Sequence, residues 1–289
     1  MDNIGTSPPF IPDTNRHGKP TIPASQINKE TELTSPWIAY NDLAWTEDWL
    51  ADPEDYEKEV SIYVDHIRRT AAEPPGTLLH LGSGAGGHDR FFKRHFTITG
   101  VDLSPGMLQK ARAANPDVEY LEGDMRTIRL DRRFDAVVIP DSIDYMATPE
   151  DLRKTIRTAA EHLKTGGVLL VTAKPEETFQ NNNFVYTGEK DGIHVTVFEN
   201  NYIPPLRPQT YEAVLVYLIR RRGELTLHTD HHVLGLFPRA LWEGVFAEAG
   251  FSMQAESLDG LYDPYLLGEG AYPLTVFVGR KTGNGSQKS

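Results

Sequence analysis

Cysteine is absent from all 289 residues, which excludes disulfides and thiolate metal centres. Long apolar runs are absent too. None approaches the roughly 20 residues that a helix needs to cross a bilayer, and the opening "MDNIGTSPPF" lacks the basic and apolar regions of a signal peptide. A cytoplasmic protein is therefore the expectation. Positive charge is scarce: 29 Lys and Arg stand against 41 Asp and Glu, for a net charge of −12. A nucleic-acid binder needs cations to replace phosphate counterions, so neither nucleic acid nor an anionic membrane surface is an expected partner. No internal repeat is visible. The remaining composition, 39% hydrophobic and 24% charged, is that of an ordinary globular protein.

Residues 1–32 are rich in Pro, Ser, Thr and Asn with little apolar periodicity, and "KTGNGSQKS" (281–289) has the same texture. Both read as loose tails around a domain at 33–280. Tyr56, Val60, Tyr63, Val64 and Ile67 fall on one stripe and predict a helix over Pro53–Thr70. Short apolar runs then alternate with helical segments: "TLLHL" (77–81), "TITGVDL" (97–103), "VEYL" (118–121), "FDAVVIP" (134–140) and "VLLVTA" (168–173). Ser104-Pro105 and Thr148-Pro149 open two of the intervening helices as N-cap and first-turn proline. The second is expected to end near Gly166-Gly167. Alternating strands and helices, with strands apolar throughout, mean parallel βαβ units buried on both faces. After Pro175 the texture becomes antiparallel. Four β-like runs within 176–235, with a hairpin turn at Arg222-Gly223, form an insertion that reads as a lid or substrate layer. A helix from about Pro238 to Ala249, closed by Gly250, and the runs "FSMQAESL" and "LTVFVGR" complete the chain.

The first strand enters "LGSGAGG". Glycine there lets a ligand approach bare backbone. Gly82-x-Gly84-x-Gly86 suggests S-adenosylmethionine (SAM), whereas Gly82-x-Gly84-x-x-Gly87 is the dinucleotide spacing. Asp102 ends the second strand, where a carboxylate hydrogen-bonds ribose hydroxyls; both ligands require it. Asp124 and Met125, in "EGDMR" after the third strand, favour SAM: the carboxylate suits an adenine amino group and the thioether packs on the ring. A nicotinamide domain does not need that pair. It also normally carries a small residue at the position of Phe91.

"HLGSGAGG", "VDLSPGMLQKAR", "EGDMR", "FDAVVIPDSIDYM" and "HLKTGGVLLV" together resemble, in order and spacing, the class I SAM-dependent methyltransferases over residues 37 to 280. The resemblance implies a Rossmann-like α/β fold: a seven-stranded sheet with helices on both faces and a reversed C-terminal hairpin. It implies that Gly82, Ser83, Gly84 and Gly86 line the methionine part of SAM. Asp102 would bind ribose, with Leu103 and Met107 flanking adenine. Asp124 and Met125 would bind adenine, and Asp141 the methionine amino group. Tyr40, within the aromatic segment "PWIAYNDLAW", would contact the cofactor carboxylate. His80 departs from the family, which often has Asp there.

The insertion and "HHVLGLFPRALWEGVFAEAGF" resemble a small-molecule branch that includes sugar N,N-dimethyltransferases and is similar to glycine N-methyltransferases. By that resemblance His232, before Leu236-Phe237, and Tyr145, where the sugar enzymes often carry His, are the catalytic candidates, with His231, Asp141 and Asp144 as further ones. His228, Asp230 and His232 alternate and share a strand face. A metal site there is the lesser alternative to a solvated face, and no metal is assigned. The expected function is methyl transfer from SAM to nitrogen or oxygen of a small-molecule acceptor, leaving S-adenosylhomocysteine (SAH). An NAD(P)-dependent oxidoreductase and a non-catalytic SAM-binding protein are the alternatives, and a homodimer stays open.

Overall fold

A computed structural model describes residues 37–258, 260–268 and 271–283, all within one unit, Thr34–Ser289. The expected tails at 1–32 and beyond residue 283 lie outside the described residues.

A short helix α1 (Glu47–Leu50) leads into α2 (Pro53–Thr70). The Asp52 side chain caps α2 by accepting from the Glu54 N–H at 2.9 Å. Acidic residues occupy its first turn and Arg68 and Arg69 its last, which complements the helix dipole. Then follow β1 (Thr77–Leu81), α3 (Asp89–Phe92), β2 (Thr97–Asp102), α4 (Pro105–Ala114), β3 (Glu119–Glu122), β4 (Phe134–Ile139), α5 (Pro149–Glu161) and β5 (Leu163–Ala173). The Ser104 and Thr148 side chains cap α4 and α5, accepting from the Met107 and Asp151 N–H groups. After the insertion come α6 (Arg239–Glu248), β10 (Phe251–Leu258) and β11 (Leu274–Lys281).

Seven strands form one sheet in the order β10-β11-β5-β4-β1-β2-β3. β1 to β5 run parallel, and only β11 is reversed, antiparallel to both β5 and β10. Period-two alternation divides the strands between two cores. Leu79, Leu81, Val137, Ile139, Leu169 and Val171 pack with Trp242, Phe246 and Phe277. Leu78, Ala136, Val138, Val168 and Leu170 pack with Val60, Tyr63, Val64 and Ile67 of α2.

The insertion is a second, four-stranded antiparallel sheet: β6 (Asn182–Lys190), β7 (Ile193–Tyr202), β8 (Thr210–Arg221) and β9 (Glu224–Gly235), in sequential order. Arg222 and Gly223 both have positive φ, 51° and 86°, which a two-residue turn matched to strand twist requires. Val195, Val197, Tyr217 and Ile219 of this sheet pack on Ile38, Ala39 and Leu43 of the N-terminal aromatic segment.

Two local expectations are corrected. α5 ends at Glu161, and Gly166-Gly167 lie inside β5, where the pairing with β4 shifts register between Phe134 and Ala136. The apolar Leu163 pairs with Phe134, so the glycines make a bulge rather than a helix stop. The glycine loop leads into α3, a single turn of four residues. Lys281, placed in the tail, belongs to β11; its ammonium donates to the Ala160 and Leu163 carbonyls at 2.6 and 3.0 Å and ties off the end of α5.

Candidate active site

The carboxyl ends of β1, β2, β4 and β5 face the inserted sheet and the 37–51 segment across a cavity of about 880 Å³. Open α/β sheets bind ligands at this edge. Of the residues expected in the site, Tyr40, Gly82, Ser83, Gly84, Asp102, Leu103, Met107, Asp124, Met125, Asp141, Tyr145 and His232 all line the cavity. Gly86 does not. A Cβ there would meet Asn115 Nδ2 and the Tyr120 hydroxyl at 2.7 Å, so its glycine serves packing beneath the loop.

Around the glycine loop, Gly82 has φ 73°, and a Cβ on it would stand 2.1 Å from Ser142 Oγ; the loop touches the β4 turn there. A Cβ on Gly84, by contrast, would meet nothing within 4 Å, which leaves its backbone bare to a ligand. Asp102 accepts from the Gly84 N–H through Oδ2 and from the Ser104 N–H through Oδ1, both at 2.8 Å. It thereby fixes the loop to the start of α4. Leu103 is 51% exposed beside the buried Met107, an apolar face without a partner. Asp124 binds Arg126 through Nε at 3.0 Å and Nη2 at 2.6 Å, and this bond, against partial burial, holds its carboxyl below the usual range.

His80, at the family's Asp position, is 1% exposed. It contacts Asp89 at 2.7 Å, and Asp89 accepts from the Tyr120 hydroxyl at 2.8 Å. The carboxyl group nearest this position therefore comes from α3, behind the loop.

The turn after β4 carries the densest chemistry. Asp141 has φ 53° and ψ −38°, a costly conformation for a non-glycine residue. It is held by the Thr172 hydroxyl, which accepts from the Asp141 N–H at 2.9 Å. Burial pushes the Asp141 carboxyl up to about 6; Lys174 opposes this, Glu59 and Asp144 add to it, and His88 opposes it weakly. Lys174 itself is bonded at 2.7 Å to Asp144, both 5% exposed or less, and the Tyr211 hydroxyl donates to the same Asp144 oxygen at 3.0 Å.

At the boundary with the inserted sheet, four side chains form a chain. The Tyr40 and Tyr145 hydroxyls lie 2.6 Å apart. Tyr145 is 2.6 Å from His232 Nδ1, and His232 Nε2 is 2.9 Å from Asp230 Oδ2, a close contact off the line of an ideal hydrogen bond. With the Nε2 proton facing Asp230, Nδ1 is an acceptor. Tyr145 then donates to it, and Tyr40 donates to Tyr145. Burial drives both phenols well above their ordinary pKa, so they stay neutral. Burial also acts to raise Asp230, but His232 and the backbone N–H groups of Ala39 and His231 outweigh it and leave the carboxyl low.

Lys174, Glu59 and His88 were not singled out in the sequence, and Asp230 only within the His228–Asp230–His232 alternation. Glu59, on α2, sits 2.6 Å from His88 Nε2 and accepts from Tyr262. Burial alone would lower the His88 pKa, and the Glu59 contact raises it instead. A charged residue closing an apolar strand ("VLLVTAK") was the available signal for Lys174.

A family model described as "Methyltransferase domain" matches residues 78–167. The chain is 33% identical over 221 residues to a dTDP-3-amino-3,4,6-trideoxy-alpha-D-glucopyranose N,N-dimethyltransferase of Streptomyces venezuelae, covering 73% of this chain and 89% of that one. It is 31% identical over 207 residues to a dTDP-3-amino-3,6-dideoxy-alpha-D-glucopyranose N,N-dimethyltransferase of Streptomyces fradiae, covering 70% and 79%.

The chain belongs to the class I SAM-dependent methyltransferases.

Among solved structures, Streptomyces venezuelae DesVI aligns with this methyltransferase at a TM-score of 0.68 and 29% identity, over 84% of this chain and 97% of that one. The cofactor is SAM and the product SAH, and the cavity fits them. Gly84 offers open backbone, and Asp141 is a buried carboxyl pushed to about 6 that an ammonium would ionise. The dinucleotide spacing and the non-catalytic alternative are not favoured. No helix among the described residues is long and apolar enough to cross a membrane.

Proposed function

We propose that this methyltransferase modifies the nitrogen of a small-molecule amine, an amino sugar being the acceptor class that the relatives' names support. The chain Tyr40–Tyr145–His232–Asp230 carries the reading, because it gives an incoming ammonium a path for its proton.

SAM, when bound, supplies a methyl group on a sulfonium, open to in-line attack. The protein's residues position and deprotonate. Asp141 would hold the cofactor ammonium and Asp102 the ribose hydroxyls. Leu103 and Met107 would flank the adenine. Asp124 and Met125 would bind it as well, although Arg126 shares the Asp124 carboxylate. Tyr40 stands between the two ends of the cavity, its hydroxyl already bonded to Tyr145, so the acceptor boundary is its place as much as the cofactor carboxylate.

An amine attacks only when neutral. The Tyr145 oxygen, which accepts from Tyr40, keeps one lone pair for an amine N–H. As that proton arrives, Tyr145 passes its own to His232 Nδ1, and the imidazolium is stabilised by Asp230 at 2.9 Å. His232 returns the proton to solvent after turnover. General-base assistance of this kind is worth about 10²–10⁴ in rate, and alignment of the nucleophile supplies most of the rest. The inserted sheet, which carries His232, is the acceptor layer.

The test is incubation with methyl-labelled SAM and the dTDP-3-amino-3,4,6-trideoxyglucose named for the Streptomyces venezuelae relative, beside its 3-hydroxy counterpart. Label on nitrogen of the first alone is the expected result. Label only on oxygen of the second would refute it.

A further inference from the structure

The inserted sheet contributes one carboxylate to the cavity wall, Glu199 on β7. It lies on the sheet's inner face, between the buried Val197 and Asn201 in the strand alternation. Across that face Glu199 is in register with Leu215 of β8, and Leu215 with Asp230 of β9. With strands about 4.8 Å apart, the Glu199 backbone stands about 10 Å from the β9 strand that carries Asp230 and His232.

Three cavity carboxylates described above are paired with basic side chains, and the two that are not, Asp102 and Asp141, lie at the strand edge rather than on the inserted sheet. Asp124 is satisfied by Arg126, Asp144 by Lys174 and Glu59 by His88. Glu199 accepts from the Asn201 side-chain amide through Oε1 at 2.8 Å, and no cation among the described residues pairs with it. The wall around it is aromatic. Trp37 and Tyr40 each set a ring 5.8 Å from the Tyr145 ring, and Tyr186 and Tyr217 line the same end. Glu199 adds to the rise that burial causes in Tyr40, Tyr145, Tyr186 and Tyr217, and on Tyr186 it acts through a side-chain hydrogen bond as well. A carboxylate lacking a cation, set among π faces at the acceptor end of a cavity, is complementary to an ammonium ion.

We propose that Glu199 is the acceptor-recognition residue of this site, capturing the acceptor's amine in its ammonium form within the aromatic wall. This rests on the reading of the cavity as taking an amine acceptor. Asp141 and Glu199 then divide the work: one meets the ammonium of the cofactor, the other that of the acceptor. Glu199 binds the ammonium, and the ammonium proton leaves through Tyr145 and His232. A neutral alcohol of the same shape gains nothing from Glu199, so the residue selects nitrogen over oxygen before any chemistry occurs.

The test uses the full chain saturated with SAH, titrated with phenethylammonium and with its neutral isostere 2-phenylethanol, and read by calorimetry at pH 7.5. The wild type is expected to bind the ammonium at least tenfold more tightly than the alcohol. Glu199→Gln is expected to abolish that preference while SAH affinity stays within twofold, which also reports an intact fold. A wild type without preference, or a Glu199→Gln variant that keeps it, overturns the proposal. Labelled-methyl transfer to the same amine, run in parallel, separates the two readings. Preference without transfer removes N-methylation of this amine and leaves Glu199 in its role, whereas transfer without preference removes Glu199 alone.

Discussion

Asp141→Asn separates stability from function in this fold. The Asp141 carboxyl is pushed from 3.8 to about 6 by burial, with Lys174 opposing and Glu59 and Asp144 adding to the rise. A raised carboxyl pKa means that the folded chain binds this proton more tightly than the unfolded chain does. The associated stability is complete below about pH 3.8 and is lost as pH rises through about 6. Two pKa units correspond to about 3 kcal/mol; the effective dielectric of real protein interiors tempers such costs, so about 2 kcal/mol is the working figure at pH 8. Asn is nearly isosteric, tolerates positive φ and carries no charge. The cofactor-free Asp141→Asn protein should therefore melt about 4–8 °C above wild type at pH 8, and the gain should vanish by pH 4.

SAM binding should move the other way. Asn cannot offer the cofactor ammonium a charged partner, and losing such a bond costs about 1.5–3 kcal/mol, or roughly 10- to 150-fold in Kd. In the wild type, protonation of Asp141 competes with the cofactor. Affinity should thus be full above about pH 7 and fall about tenfold by pH 5, while Asp141→Asn should show no such slope. Calorimetry across pH 5–8 and thermal melts of the same samples give both readings. A variant that melts below wild type at pH 8, or one that retains the pH slope, would refute the assignment of Asp141 as the unsatisfied buried carboxylate.

Tyr145→Phe should lower kcat on an amine acceptor by about 10²-fold and leave SAM Kd within twofold; an equal loss in Kd would reduce Tyr145 to packing. Gly82→Ala places a methyl 2.1 Å from Ser142 Oγ at φ 73°, and should both abolish SAM binding and cost about 1–3 kcal/mol in urea unfolding. Trp242→Ala empties a 2%-exposed site whose ring stacks on Phe277 at 4.9 Å. It should cost about 3–5 kcal/mol with SAM affinity unchanged whenever the protein is folded.

The residues proposed for the cofactor half of the cavity are legible because their requirements are local. Bare backbone demands glycine, a strand end demands a particular carboxylate, and a helix start demands a capping hydroxyl; Gly84, Asp102 and Ser104 each announce themselves within a few residues. Gly86 misled because glycine is also demanded where two buried side chains, Asn115 and Tyr120, press on the loop. Gly166-Gly167 misled for a related reason: glycine marks a bulge inside β5 as readily as the end of a helix.

The acceptor half is made of long-range pairings that no local pattern encodes. Tyr40 and Tyr145 meet across 105 positions and Tyr145 and His232 across 87. They meet only because β9 closes an antiparallel sheet over the β4 edge. The alternation of His228, Asp230 and His232 was visible, and it was read first as a solvated strand face. The polarity of Asp230 and His232 does not send them to water: both are under 5% exposed, and each is the other's polar neighbour at 2.9 Å. Once the sheet is covered, a strand face that is polar in sequence becomes a site, because buried polar groups must find partners. The ones left with spare capacity, Tyr145 toward an amine N–H and Glu199 toward an ammonium, are those that a ligand completes.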